Sequence, residues 1–279
     1  MYACGNCYAE NFLILPWLVF AFAAGNPDCG LRAPSVAVPG ALISGYAVPG
    51  SKVVFSGKRL QLAADGRWVA GIGRDAQGSQ TVSVTSKKCR AQRLIRLTER
   101  AWRTERVSGV PQNTVTPDPV SAKRIAAESA LIVAARSLAS ARTDWASGFI
   151  WPARGRISGV YGSQRILNGT PSSPHLGLDI AAARGTPVYA SAAGRVSLSH
   201  QDMLLTGKTV LIDHGHGVST IYIHLDQIHV LSGQDVRSGQ ALGSIGTTGR
   251  STGPHLHFQL HWFQEKLDPA LVLPALNSR

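Results

Sequence analysis

The sequence predicts a mostly β protein of two units, a small N-terminal sandwich-like domain and a larger C-terminal antiparallel sheet, joined by one helix. Three observations carry that prediction. Short alternating apolar–polar segments, broken by Gly and Pro turns, recur along most of the 279 residues. One stretch, 118–143, instead carries its apolar residues at helical spacing. All nine histidines fall after Trp151, so the second half differs in chemistry as well as texture.

Composition bounds the partners. The formal net charge is +12 and the pI about 10.1, which favours acidic ones. Lys and Arg outnumber Asp and Glu by 18 to 9 over residues 1–149 and by 10 to 7 over 150–279. The basic excess therefore sits away from the histidines and suits an anionic envelope polymer. No Lys/Arg-rich run, RNA-binding signature or zinc-finger spacing is present, so nucleic acid is not an expected partner. Oligomeric state leaves no mark in the sequence.

In chain order, residues 12–24 (FLILPWLVFAFAA) form an apolar run too short to span a membrane comfortably. Ala21-Phe22-Ala23 supplies an A-x-A cleavage pattern, so 1–24 is read as a signal peptide and the protein as exported. The positive n-region is missing, and Glu10 stands there instead. Cys4 and Cys7 form a lone CxxC without a second pair. Cys29 and Cys89 remain as an even pair, and a disulfide between them would close a loop of about 60 residues and contribute roughly 4 kcal/mol.

Residues 25–110 read as the small β-sandwich-like domain, with breaks at Pro49-Gly50, Asp65-Gly66 and Gly78-Ser79. The segment RLIRLTERAWRTERV is expected to extend that sheet, because Leu94, Arg96 and Thr98 alternate with Ile95 and Leu97. Residues 111–149 are a linker: a Pro-rich break, then a helix over 118–143 with Asp118 as cap and Pro119 at the first position. Residues 150–274 form the second domain.

That domain carries the chemistry. In SPHLGLDIA, Pro174 and the glycines argue for extended chain, where positions 175, 177 and 179 share a face. Gly177 adds no side chain, so His175 and Asp179 can converge on one small object. Imidazole, carboxylate and one more imidazole make a ligand set typical of catalytic zinc, which leaves its fourth position to water. The third ligand comes from His255 or His257, which point the same way from one strand. TVLIDHGHGVSTIYIHL reads as a hairpin, strands 209–213 and 218–224, with His214 and His216 in the turn and Tyr222 on the face of His224. His200, His229 and His261 have no partner at a telling spacing and read as surface or packing residues.

The motifs HLGLD (175–179), YIHL (222–225) and HLH (255–257), in this order, resemble those of the lysostaphin-type, or LytM-type, zinc endopeptidases of bacterial cell walls. The resemblance covers about residues 150–272. It implies a LytM-type antiparallel groove domain with one Zn2+ per chain held by His175, Asp179 and His257. It implies His224 and His255 as catalytic groups beside the metal, acting on water and substrate. Tyr222, Arg165 and Asn168 would then contact substrate, the last two from the segment GVYGSQRILNGTPSSPH that frames the groove. The implied activity is hydrolysis of an amide bond in the peptide cross-links of peptidoglycan. The alternative is a non-hydrolytic, peptidoglycan-binding activator of other wall hydrolases, which the filled ligand positions disfavour.

Overall fold

The computed structural model describes residues 28–109 and 116–275. The expected signal at 1–24, with Cys4 and Cys7, lies outside the described residues, as does 110–115 of the Pro-rich break.

The N-terminal unit contains β1 (Val36–Ala37), β2 (Leu42–Tyr46), β3 (Lys52–Phe55), β4 (Lys58–Arg59), β5 (Arg67–Gly71), β6 (Ser79–Thr85) and β7 (Arg90–Leu97). They form a five-stranded sheet in the order β1-β7-β6-β3-β4 and a separate β2-β5 pair. Period-two alternation explains the larger sheet: Val53, Phe55, Val82, Val84 and Ile95 are buried on one face, and Lys52, Ser79, Arg90 and Gln92 are exposed on the other. Cys29 and Cys89 are bonded across 60 residues, with Cα atoms 5.6 Å apart. Reducing this bond, or replacing both cysteines with Ala, is expected to cost about 4 kcal/mol of stability. Denaturant midpoints of the oxidised and reduced protein measure it, and equal midpoints would refute the estimate.

β8 (Thr104–Val107) and helix α1 (Pro119–Arg136) follow. Asp118 caps the helix by accepting from the Val120 and Ser121 N–H groups, with Pro119 in the first turn where a missing donor costs nothing. The helix ends at Arg136, seven residues before the expected 143. Tertiary bonds take over the chain there: Gln264 Nε2 donates to Val133 O and Ser137 Oγ, and Ser140 O accepts from His216 N.

The C-terminal unit runs β9 (Arg156–Gly159), β10 (Gln164–Leu167), β11 (Thr170–Ser172), β12 (Leu178–Ala181), β13 (Pro187–Tyr189), β14 (Gly194–Met203), β15 (Gly207–Gly215), β16 (Val218–Ile228), β17 (Asp235–Val236), β18 (Ala241–Ile245), β19 (His255–Trp262) and β20 (Glu265–Leu267). Its main sheet has the order β17-β14-β15-β16-β19-β12-β9. α1 packs on the face where Leu211, Ile221 and Ile223 are buried against Ala135 and Ile132.

β8 does not extend the N-terminal sheet as expected. It crosses to the C-terminal unit and pairs in parallel with β10, Glu105 opposite Arg165. Trp102 directs the crossing: its ring meets Tyr161 edge-on at 5.7 Å between the guanidinium groups of Arg74 and Arg100. Arg100 in turn pairs with buried Asp268, and Arg74 donates twice to Gly162 O. One continuous hydrophobic cluster runs from Cys29 to Leu273, with Phe55 edge-on to Trp262 at 6.3 Å, so the two units share a core.

Candidate functional site

Two neighbouring antiparallel strands place the centre of the site. On β12 and β19, Asp179 stands directly opposite His257, and Ala181 opposite His255. His175 lies four residues before Asp179 in the connection entering β12, pinned by its own N–H to Ser163 O and by Gly162 N–H to its carbonyl. Three donor atoms converge as a result. His175 Nε2 is 3.0 Å from Asp179 Oδ1 and 3.0 Å from His257 Nδ1, and the last two are 2.6 Å apart. Gly177 makes this possible in a way its lack of a side chain only hinted at: a Cβ there would lie 2.7 Å from the His257 ring.

The charge states suit a cation. His175 Nδ1 lies 2.9 Å from Val160 O, which would hold the ring proton when a bound metal takes the Nε2 lone pair. Burial alone would push the Asp179 carboxyl up, yet the charge of His257 and hydrogen bonds from both histidines hold it well below the usual carboxylate range. Burial lowers His257 to about 4 against the pull of Asp179, so its ring is neutral at neutral pH. Two imidazoles and one carboxylate, all buried with their donor atoms converging, fit a divalent metal ion such as zinc.

Asp179 divides its oxygens. Oδ1 faces the histidines, and Oδ2 accepts from Arg165 Nη2 at 3.0 Å, with Arg165 Nε 3.6 Å from Glu105 of β8. Arg165, expected to contact substrate, is thus bonded to the centre itself.

His255 and His224 flank the three. His255 Nε2 is 3.9 Å from Asp179 Oδ1, and its ring centroid lies 4.8 Å from that of His224. Each has Nδ1 beside a backbone carbonyl, His255 at Gly253 O (2.9 Å) and His224 at Thr248 O (2.7 Å). In each ring, a proton held on Nδ1 by that carbonyl leaves Nε2 free to accept another. Burial, with His255 and His257 nearby, pushes His224 down to about 3, so it stays neutral.

Tyr222 does not share this face. Its hydroxyl is fully buried on the opposite side, accepting from Ser191 N (2.8 Å) and packing on Phe258, so the expected substrate contact is corrected. Strict alternation would have carried His224 inward with it. Instead the ladder slips between Lys208/Val210 and Tyr222/Leu225, and His224, at φ +64°, turns its ring out to His255. Asn168, also expected to contact substrate, is exposed. With φ +49°, followed by Gly169 at +84°, it forms the tip of the β10–β11 hairpin, whose two central residues must take the left-handed region. His214 is not a turn residue: fully buried in β15, it bonds Ala193 O and Thr220 Oγ1. His216 does occupy the turn, at φ +52°.

Gln259 has a role that the sequence reading missed. Its Nε2 is 2.7 Å from His257 Nε2, and its Oε1 is 2.9 Å from His261 Nε2. When His257 Nδ1 holds a metal, Nε2 must carry the proton, and the carboxamide turned over then accepts it through Oε1. A polar side chain at position i+2 on the strand face of the ligand was the available signal. Gln259→Leu is expected to weaken zinc binding about 10–100-fold, while Gln259→Glu keeps an acceptor and most of the affinity. Competition with a chromophoric chelator reads both, and unchanged affinity in the Leu variant contradicts the role.

Asp179, His224, His255 and His257 open into a cleft of about 430 Å³, lined also by Glu105, Arg156, Arg165, Arg250 and Ser251, with His175 buried behind them. This half of the chain is similar to known proteins. The profile of Peptidase family M23 matches residues 173–269. A crystal structure from Pseudomonas aeruginosa, provisionally assigned as a peptidase M23, superposes with a TM-score of 0.65 at 30% identity, covering 84% of this chain and 93% of that one. Cell division protein DipM of Caulobacter vibrioides is 35% identical over 166 residues, 57% of this chain and 26% of DipM. Peptidoglycan DD-endopeptidase ShyA of Vibrio cholerae is 43% identical over 106 residues, 38% of this chain and 24% of ShyA. The chain thus spans about a quarter of the length of these two relatives.

Proposed function

We propose, from the premise that this chain belongs to peptidase family M23, that it is a zinc-dependent endopeptidase cutting amide bonds in the peptide cross-links of peptidoglycan. One observation carries the reading: three ligand atoms converge within 3.0 Å of one another, with two further histidines beside them whose Nε2 atoms are free to accept. A zinc ion held by His175, Asp179 and His257 would supply Lewis acidity, activating water at neutral pH and polarising the scissile carbonyl.

The chain's own groups do the rest. His255 and His224 stand on the open side of the centre, where either accepts the proton of the attacking water through Nε2. Once protonated, the same atom is a donor for the developing oxyanion or the leaving amine. Arg165 fixes the free oxygen of Asp179, and Glu105 holds Arg165. Arg156 and Arg250 give the cleft a positive lining that suits the carboxylates of wall peptides. The complete ligand set supports hydrolysis over the role of a non-hydrolytic activator. The Cys29–Cys89 bond and the envelope-associated relatives support a site of action outside the cytoplasm.

Digestion of purified sacculi, with and without a zinc chelator, tests the reading. Cross-linked fragments should disappear on the chromatogram, and the chelator should preserve them. An unchanged fragment pattern with zinc-loaded protein would argue for the activator.

A further inference from the structure

The cations of the N-terminal unit differ in their partners: Lys58 lies over the Trp262 and Phe263 rings, and Arg93 donates to Ala33 O. Arg67, Arg74 and Arg100 each pair with a carboxylate. Lys52, Arg59, Arg90 and Arg96 pair with none among the described residues, and their side chains make no hydrogen bond there. Strand register puts all four on one surface, the outer face of the five-stranded sheet. Lys52, Thr85 and Arg90 are cross-strand neighbours on β3, β6 and β7, so the two cations stand about 10 Å apart at the usual strand spacing. Arg96, opposite Ser79, lies six residues further along β7, about 20 Å from Arg90. Arg59 stands opposite Val54 on β4.

The space between these cations is mostly polar. Thr81, Ser83 and Gln92 occupy it, together with half-buried Val54, Leu94 (60% exposed) and, opposite Arg96, Val36 (41% exposed). No Asp or Glu occupies the face among the described residues. Keeping four unpaired cations together raises their mutual repulsion, and a bound polyanion relieves it. The face has no aromatic residue on which nucleic-acid bases could stack. It also lacks the large apolar set with which a surface enters a bilayer. Spaced cations over a flat floor of hydroxyl and amide groups match a polymer that carries carboxylates at intervals among sugar hydroxyls.

We infer that this face docks the carboxylate-bearing glycan–peptide mesh of peptidoglycan, remote from the cleft. The identity of the polymer rests on the function proposed above. Docking raises the local concentration of cross-links at the metal centre without touching the scissile bond.

Co-sedimentation of the full chain with purified sacculi, zinc chelated so that nothing is cut, tests the inference. The comparison is with the quadruple variant Lys52→Gln, Arg59→Gln, Arg90→Gln, Arg96→Gln. The variant should bind about tenfold less, and wild-type binding should fall similarly between about 50 and about 500 mM salt. With zinc restored, both proteins should cut a small soluble cross-linked muropeptide equally, while the variant digests sacculi more slowly. Equal binding of variant and wild type to sacculi overturns the docking face, as does wild-type binding indifferent to salt. Stronger wild-type binding to vesicles of anionic phospholipid than to sacculi overturns it in favour of a membrane. Failure of both proteins to cut the soluble muropeptide counts against the hydrolytic reading and leaves the docking result standing.

Discussion

His257→Ala should lose zinc and hydrolysis together. His257 Nδ1 sits 2.6 Å from Asp179 Oδ1 and 3.0 Å from His175 Nε2, so it supplies one of the three donors, and no other side chain reaches that point from β19. His255 is on the same face, but its Nε2 stays 3.9 Å from the carboxylate and its Nδ1 is held at Gly253 O. Truncation also leaves the buried Asp179 carboxylate with one imidazole fewer to balance it. Zinc in the dialysed variant, read by atomic absorption, should approach background. Hydrolysis should fall by more than about 10³-fold, since both the water and the carbonyl lose their activation. A variant that keeps stoichiometric zinc would remove His257 from the ligand set.

His255→Ala should separate the two properties. Its ring touches none of the three donor atoms at bonding distance, so zinc content should match the wild type. Losing a positioned proton acceptor costs about 10²–10⁴-fold in hydrolysis. The loss should appear chiefly in kcat. His224→Ala, tested beside it, is expected to share the pattern, and the larger loss identifies the principal base. If the His255 variant lost its metal while the His257 variant kept it, the two assignments would exchange.

How far these placements were legible depended on how local their causes are. Period-two alternation along HLH is a local rule, and β19 obeys it, so His255 and His257 do share a face. Helix α1 starts where Asp118 and Pro119 say it should, because capping is written within four residues. Its end at Arg136 combines a local cap, Ser137 bonding back to Val133 O, with bonds from Gln264 far along the chain, and that distant part leaves no trace in the helix sequence. β8 alternates like its predecessors, yet its partner is β10, and alternation cannot name a partner. Tyr222 and His224 were assigned one face because the bulge between them is invisible to periodicity. Gln259 was passed over as one more polar strand residue, although it stands two positions from His257 on the same face and bonds its ring.

The most direct test of the central claim is a zinc titration of the metal-free chain, with hydrolysis of a soluble cross-linked muropeptide followed at each point. A single centre built from His175, Asp179 and His257 predicts activity that rises in proportion to zinc and levels off at one ion per chain. No hydrolysis at full occupancy, or activity that does not depend on the ion, would contradict it.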